Sequence, residues 1–426
     1  MTPEPLELEI VAGHLQSLGH AVDVVDLVLE RRPLTSFVKQ KPYDFVGLTG
    51  YLNHVQVVKQ LARDVKRVSP RTAVVVGGVH AEIAPTDFVD PAIDHVLWAN
   101  GALTLGTLAS GLTATEAACL PGVWGSGKPR PAPLHPAGML PDRTVTAKYR
   151  DRYTCMHSHP SATLKTTYGA SAQNGDTGSS PSPERDLDEV MDELEAIEES
   201  HVIIVDDDFL ERSTGVAAFC QALDSRGIAK HFVAFARPDQ VGERPDDVRL
   251  LAEHGFDAIV LSLDPVVATD LEPQHDCVSV DANARAMRVL EDAGVQCFSD
   301  LFTGSDWRPE DFDNVIDFLN GLESPMVSIQ PETPMPWSPP LGTVRPRTVG
   351  QGRHERSDTA SLRFAPSAMG PRMYYWHLLR ANYKTSANPA RRQYVKQRYG
   401  KRLYRRMLRG TVGNTWQYVK LLVRPG

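Results

Sequence analysis

Short apolar runs alternating with helix-length amphipathic stretches recur in two separate series along this chain, and few folds accommodate that rhythm. Neighbouring parallel strands need a crossover of a dozen or more residues, usually a helix, and strands buried on both faces read as continuous β-branched runs. In the first hundred residues an amphipathic stretch from Leu6 to Leu18 leads to "AVDVVDL". Then "DFVGLTG" precedes the helical "HVQVVKQLARDVKRV", and "TAVVVGG" and "HVLWANG" complete the series. This predicts an α/β domain over residues 1–100 with a doubly wound parallel sheet, its ligand beyond the carboxyl ends of the strands.

The second series is longer. Apolar strands are expected at "ATLKT", "VIIVD", "HFVAFA", "AIVLSL", "VQCFSDLF" and "MVSIQ", with helices from Leu187 to Ser200, Pro245 to His254, Val280 to Ala293 and Pro309 to Leu322. Six such units over residues 153–340 suit a partial (β/α)6 barrel, which periodicity alone does not separate from a second open sheet. Between the two series, residues 101–152 thin into Gly, Pro and Ser, as in "PGVWGSGKPRPAPLHPAGMLPDR", and read as a linker. A second Pro-rich break, "PETPMPWSPPLGTVRPRT", opens residues 341–426, where a flexible polar segment precedes a basic helical tail.

The 426 residues carry a net charge of −8, unevenly spread. From Pro371 to Gly426 there are fourteen Lys or Arg and no Asp or Glu, so the tail carries +14 and the remainder −22. Nine tyrosines and tryptophans lie among those cations, and "RRQYVKQRYGKRLYRRMLRG" has helical composition. Three partners fit such a tail: the acidic barrel itself, an anionic lipid surface, or nucleic acid. No apolar run approaches the roughly 20 residues of a spanning helix. The start, "MTPEPLELEIVAGHL", lacks the basic and apolar segments of a secretion signal, so a cytoplasmic, reducing location is expected. The five cysteines, Cys119, Cys155, Cys220, Cys277 and Cys297, lie far apart, no CxxC spacing occurs, and they read as isolated thiols rather than metal ligands.

Barrel sites assemble at the carboxyl ends of strands, and those positions are polar here. They are Asp206, Asp207 and Asp208 after "VIIV", Arg237 and Asp239 after "AFA", Asp264 after "LSL", Asp300 and Asp306 around the fifth strand, and Gln330 and Glu332 after the sixth. Such carboxylates can accept from an ammonium or a ribose, and Arg237 can pair with a carboxylate. Asp206, Asp207, Asp208 and Glu332 are the candidate catalytic groups; helix capping is the competing role for any one Asp. In the first domain, Thr49, Gly50 and Tyr51, and Gly77, Gly78 and Val79, each follow a strand, where glycine lets a large ligand approach the backbone. His54 and His80 read as polar surface residues.

Those segments carry a resemblance. "PLELEIVAGHLQSLGHAVDVVDL", "DFVGLTGYLNHVQVVKQLARDVKRVSPRTAVVVGGVHAEIAPTDF" and "DHVLWANG" resemble the Rossmann-like cobalamin-binding domain that precedes many radical S-adenosylmethionine (SAM) enzymes. "ATLKTTYGASAQNGDTGS", "VIIVDDDFL", "FARPDQV", "LLAEHGFDAIVLSLDP" and "ANARAMRVLEDAGVQCFSDLFTGSDWRPEDFDNVIDFL" resemble, in the same order, that family's radical SAM barrel. The likeness implies cobalamin and SAM as cofactors. It places Thr49 to Tyr51 and Gly77 to Val79 in loops facing cobalamin, and Asp206, Asp207 and Phe209 near the amino group of SAM, with Arg237 and Asp264 at neighbouring strand ends.

The chain also departs from the family. The family's first barrel loop carries CxxxCxxC, whose thiolates hold a [4Fe–4S] cluster; the register set by "TTYG" puts Ala170, Asn174 and Thr177 there. None supplies a soft thiolate, so the cluster is not expected. The family's opening strand has no counterpart upstream of Leu6, which leaves either a start further upstream or a sheet without that strand. The "GEGE"-like stretch is altered to "WANGALTL", and there is no DxHxxG to supply a lower cobalt ligand. The expectation is therefore a methyltransferase-type enzyme acting on a small or lipid-like molecule without the cluster. Two other readings stay open: a catalytically inactive partner of a complete relative, and an enzyme using another cofactor or carboxylate acid–base chemistry.

Overall fold

In the computed structural model, the described residues are 2–134, 138–156, 158–168, 183–212, 214–263, 280–321, 326–331, 362 and 366–423. They form two compact units, residues 1–163 and 164–426.

The first unit opens with α1 (Leu6–Ser17) and α2 (Leu34–Val38), followed by β1 (Phe45–Thr49), α3 (Val55–Val68), β2 (Ala73–Gly77), α4 (Val79–Ile83), β3 (His95–Val96), α5 (Gly101–Ala109) and α6 (Ala114–Ala118). The strands pair in parallel in the order β1-β2-β3, with Thr49 beside Gly77 at the carboxyl end. Alternation along β2 explains why helices cover both faces. Val74 and Val76 pack with Val55, Val58, Ala62 and Val65 of α3, which recur at helical spacing, while Val75 packs with Leu97, Leu108, Ala117 and Val123 on the other side.

Two parts of this unit differ from expectation. "AVDVVDL" is not a strand: residues 21–26 run without ladder pairing and enter a turn in which the Asp26 carboxylate accepts from Val28 N–H at 2.9 Å. Asp23 is held outside by Tyr43 Oη at 2.6 Å and by Lys41, and Val28 is exposed, so the apolar residues here do not share one buried face. Residues 101–152, expected as a linker, contribute α5, α6 and a 3-10 segment (Arg143–Arg152) to the core of the unit. Thr113 and Glu116 cap α6 reciprocally.

A buried ionic cluster closes the first unit. Arg143 pairs with Glu4 and stands 3.6 Å from Glu9, Glu4 also accepts from the Thr163 N–H at 2.8 Å, and Thr146 donates to Glu9. All five residues are buried, and two carboxylates share one guanidinium.

β4 (Ala162–Leu164) spans the boundary, and the second unit continues with α7 (Leu187–Ala196), β5 (His201–Ile204), α8 (Gly215–Arg226), β6 (His231–Ala236), α9 (Pro238–Glu243), α10 (Pro245–Glu253), β7 (Phe256–Leu263), α11 (Val280–Asp292), β8 (Gln296–Thr303), α12 (Pro309–Asn320), β9 (Met326–Pro331), α13 (Pro371–Ser386) and α14 (Pro389–Val423). The sheet order is β4-β5-β6-β7-β8-β9, the six expected strands in chain order, and β5 through β9 pair in parallel. Phe209, Phe219, Phe232 and Phe256 form an aromatic core with centroids 4.8 to 6.4 Å apart. Gly400, at φ +74°, interrupts the helical path of α14. No helix among the described residues is long and apolar enough to cross a membrane.

Candidate functional site

In the first unit, the loops after β1 and β2 leave adjacent strands at the same edge of the sheet. Gly78 holds φ +98°, a left-handed conformation that costs any other residue, and a Cβ there would collide with the Thr49 hydroxyl. A Cβ on Gly50 would lie 2.8 Å from that of His54. Both loops are therefore trimmed to bare backbone where they run side by side. Tyr51 and Val79 stand exposed beside them, while a Cβ on Gly77 would meet the Leu97 side chain at 3.7 Å. Such an edge suits a broad, flat ligand laid against the strand ends. His54 accepts from the Tyr51 N–H at 3.2 Å, folding back on its own loop. His80, expected at the surface, is buried: its Nε2 lies 2.9 Å from Asp87 Oδ2 and its ring packs edge-on against Phe88.

In the second unit the aspartate triplet after β5 separates into three roles. Asp206 is buried and saturated, accepting from Thr166 N–H (2.8 Å), Thr166 Oγ1, Thr167 N–H (3.1 Å) and Thr167 Oγ1 (3.1 Å). It staples the end of β4 to the end of β5. Asp207 is exposed. Asp208 is half-buried: its Oδ1 accepts from Leu210 N–H at 3.0 Å, and its Oδ2 is buried with no hydrogen-bond partner among the described residues. Burial pushes its carboxyl up to about 7, with Glu211 adding to the rise and Leu210 N–H and Arg237 opposing it. Asp208 therefore exchanges a proton near neutrality.

Phe209, implied beside SAM, instead packs its ring into the aromatic core. Arg237 turns to Asp239, donating at 3.1 and 2.8 Å; although burial pushes Asp239 up, Arg237 holds it below the ordinary carboxylate range. Gln330 donates to Ser328 Oγ at 2.8 Å, and Asp306 is half-buried beside Gly304. Asp264 and Glu332, and the loop positions Ala170, Asn174 and Thr177, lie outside the described residues, as does the side chain of Asp300.

Three residues at these strand ends escaped the sequence reading. Thr166 supplies two of the four donors to Asp206. Arg212, buried four residues beyond Asp208, donates to Thr166 Oγ1 and lies over the rings of Phe209 and Phe219. Burial pushes its guanidinium below its ordinary range, while Glu184, at 3.8 Å, opposes the shift. Tyr374 of α13 shares a hydrogen with Thr303 Oγ1 at 2.6 Å and reaches the carbonyls of Thr303 and Gly304 at the end of β8. Thr166 and Arg212 frame the neck of the segment between residues 168 and 183: Tyr168 N–H donates to Pro183 O (2.7 Å) and Arg185 N–H to Thr166 O (2.9 Å). Among described cysteines, burial pushes the thiols of Cys155, Cys220 and Cys297 up to about 12, which disfavours the thiolate a metal requires. Among the described residues no three His, Cys, Asp or Glu side chains converge to hold a metal ion.

The parallel three-stranded domain with its glycine-trimmed edge, followed by a six-stranded sheet in chain order with helices between its strands and polar strand ends, defines the class: an α/β protein built like the cobalamin-dependent radical SAM enzymes. Residues 2–109 match the B12 binding domain family model. Hopanoid C-3 methylase of Methylococcus capsulatus is 26% identical over 355 residues, covering 78% of this chain and 67% of that protein. Among solved structures, the cobalamin-dependent SAM radical enzyme OxsB, with aqua-cobalamin and SAM bound, superposes with a TM-score of 0.57 at 16% identity over 76% of this chain. This chain spans about half the length of OxsB, at 51%. The radical SAM methyltransferase TsrM from Kitasatospora setae gives 0.57 at 15% identity, covering 77% of this chain and 70% of its own. The likeness to the cobalamin-binding radical SAM family drawn from the sequence is thereby borne out at the level of fold and relatives.

Proposed function

We propose that this chain is a cobalamin-binding, SAM-using methyltransferase-type enzyme that works without a [4Fe–4S] cluster. The observation that carries the reading is a mismatch: the relatives and the B12 binding domain match argue for the cofactor pair, while the register after β4 puts Ala170, Asn174 and Thr177 where three thiolates are required. Cobalamin, when bound, supplies a cobalt centre able to accept and pass on a methyl group. The chain's residues would do the rest. The Thr49–Tyr51 and Gly77–Val79 loops would offer bare backbone to the corrin, and Tyr51 and Val79 would shield it from water.

Asp208 adds an acid–base component. Its buried Oδ2 and its carboxyl poised near 7 suit it to take the proton that a substrate hydroxyl, amine or thiol releases when methylated. Asp206 would keep that strand end in register. The name of the curated relative supports a lipid-like substrate.

The experiment supplies purified protein with hydroxocobalamin and SAM, then reads retained cobalamin absorbance after gel filtration, SAM binding by calorimetry, and iron after anaerobic reconstitution. The expected result is retained cobalamin, bound SAM and iron at background. Iron uptake at cluster stoichiometry with release of 5′-deoxyadenosine would overturn the cluster-free reading, and loss of both cofactors would overturn the whole. Co-purification with a cysteine-bearing relative and no turnover by this chain alone would assign it to the inactive partner. Gly78→Ala is expected to weaken hydroxocobalamin binding about tenfold, since the left-handed backbone penalises a Cβ by roughly 1–2 kcal/mol and the loop must shift. Equilibrium titration followed by absorbance checks this.

A further inference from the structure

The tail helix α13 has two opposed faces. Tyr374, Tyr375, Leu378, Ala381 and Thr385 are buried, and Asn382 joins the helix to β9 by donating to Ile329 O at 2.9 Å. On the far side Met373, Trp376 and Tyr383 are 52, 50 and 68% exposed. With 100° per residue, these three, together with the exposed Arg372 and Lys384, fall within about a third of the helix circumference. Large apolar side chains held in a row on a rigid, anchored helix are not needed for packing within this unit.

The charge around that row has one sign. Arg372, Lys384, Arg392, Lys396, Lys401, Arg405 and Lys420 are exposed along α13 and α14. No Asp or Glu occurs from residue 371 to 426. Two other cations serve as anchors instead: Arg380 pairs with Asp313, and the buried Arg391 donates to Thr385 O and Leu319 O at 2.7 Å each. Part of the tail therefore packs on the acidic remainder of its own unit, and the rest keeps its positive charge at the surface.

We propose that the Met373–Trp376–Tyr383 face, with its flanking lysines and arginines, docks on the surface of an anionic lipid bilayer. Aromatic rings with polar tips settle at the headgroup level, and cations beside them are drawn to the negative leaflet. A methionine within the row favours lipid over nucleic acid, because bases stack on aromatic rings whereas a flexible thioether gains from burial among acyl chains. The docked helix lies along the interface without crossing it.

Vesicle flotation of the full chain tests this. Phosphatidylcholine vesicles containing phosphatidylglycerol are expected to carry the protein at low ionic strength and to release it as salt is raised. Pure phosphatidylcholine vesicles are expected to leave it behind. The triple variant M373S/W376S/Y383S is expected to bind anionic vesicles about a hundredfold more weakly, from the apolar area no longer buried. Its melting temperature should stay at the parent value because all three side chains are exposed; if it does not, Trp376→Ser alone takes its place. Equal binding to both vesicle types, no binding to either, unchanged binding of the variants, or tighter binding to single-stranded RNA or duplex DNA than to anionic vesicles would each overturn the proposal. Vesicle binding needs no cofactor, so this result and that of the cobalamin experiment are separable.

Discussion

Asp206→Ala is expected to lower the melting temperature of the second unit by roughly 6–12 °C, the largest effect of any single change at the strand ends. The carboxylate accepts from two backbone N–H groups and two hydroxyls of Thr166 and Thr167 in a buried setting. Removing it strands those donors and takes one of two nearby carboxylates, beside Glu184, from Arg212, whose guanidinium shares Thr166 Oγ1. Stranded buried donors cost about 1–3 kcal/mol each when water cannot reach them, and partial relaxation leaves about 3 kcal/mol overall. A unit of this size loses about 2–4 °C per kcal/mol. Asp206→Asn retains one acceptor but presents an amide NH2 to existing donors, so it should fall between the two. Circular dichroism melts together with hydrogen exchange at residues 166–168 would check this. Exchange rates unchanged in Asp206→Ala would show that the neck is held by something else.

How far the molecule could be read from its sequence follows from where its interactions lie along the chain. The six strands of the second sheet were legible because they are buried on both faces and spell uninterrupted apolar runs such as "VIIV" and "AIVLSL", bounded by helices with their own period. "AVDVVDL" spells much the same pattern yet forms no strand, since the contacts that hold it, Asp23 with Tyr43 and Lys41, come from some twenty residues away. Residues 101–152 hid α5 and α6 behind glycine and proline, although the Thr113–Glu116 cap was present as a local T-x-x-E signal. The loops after β1 and β2 fall beside each other as their positions suggested. Division of labour within the aspartate triplet was beyond sequence reasoning. Asp206 staples two strand ends because Thr166 stands opposite it forty residues earlier, whereas the Asp208 carboxyl is pushed up by its burial, with no hydrogen-bond partner for its Oδ2 among the described residues. Phe209 belongs to the core for the same reason: its partners, Phe219 and Phe256, lie ten and forty-seven residues further on.

Arg143→Met is expected to destabilise the first unit by about 3–5 kcal/mol at pH 8, because it removes the guanidinium that two buried carboxylates share. Burial and the neighbouring Glu4 push Glu9 up to about 8, against Thr146 and Arg143, which lower it. Tyr153 also faces this cluster, and burial raises its phenol further, with Asp26, Glu9 and Glu4 adding to the effect. In the unfolded chain Glu9 titrates near 4.5, the ordinary value of a glutamic acid. Between those two values the folded state binds the extra proton, so the Glu9 contribution is complete below about 4.5, declines as pH rises, and is gone above about 8. The decline is at most about 1.4 kcal/mol per pH unit. Arg143→Met, having lost a cation that favours the ionised carboxylates, should show a steeper fall with pH than the parent. Glu9→Gln should flatten the slope and leave the unit more stable than the parent at pH 8, since a neutral amide keeps the place of the protonated acid. The triple variant Arg143→Met, Glu4→Gln, Glu9→Gln should recover most of the loss, because it removes the buried charges along with their partner. Urea unfolding of the full chain across pH 5–8, followed by a probe in the first unit, reads all three; a pH profile in Glu9→Gln identical to the parent's would place the titrating group elsewhere.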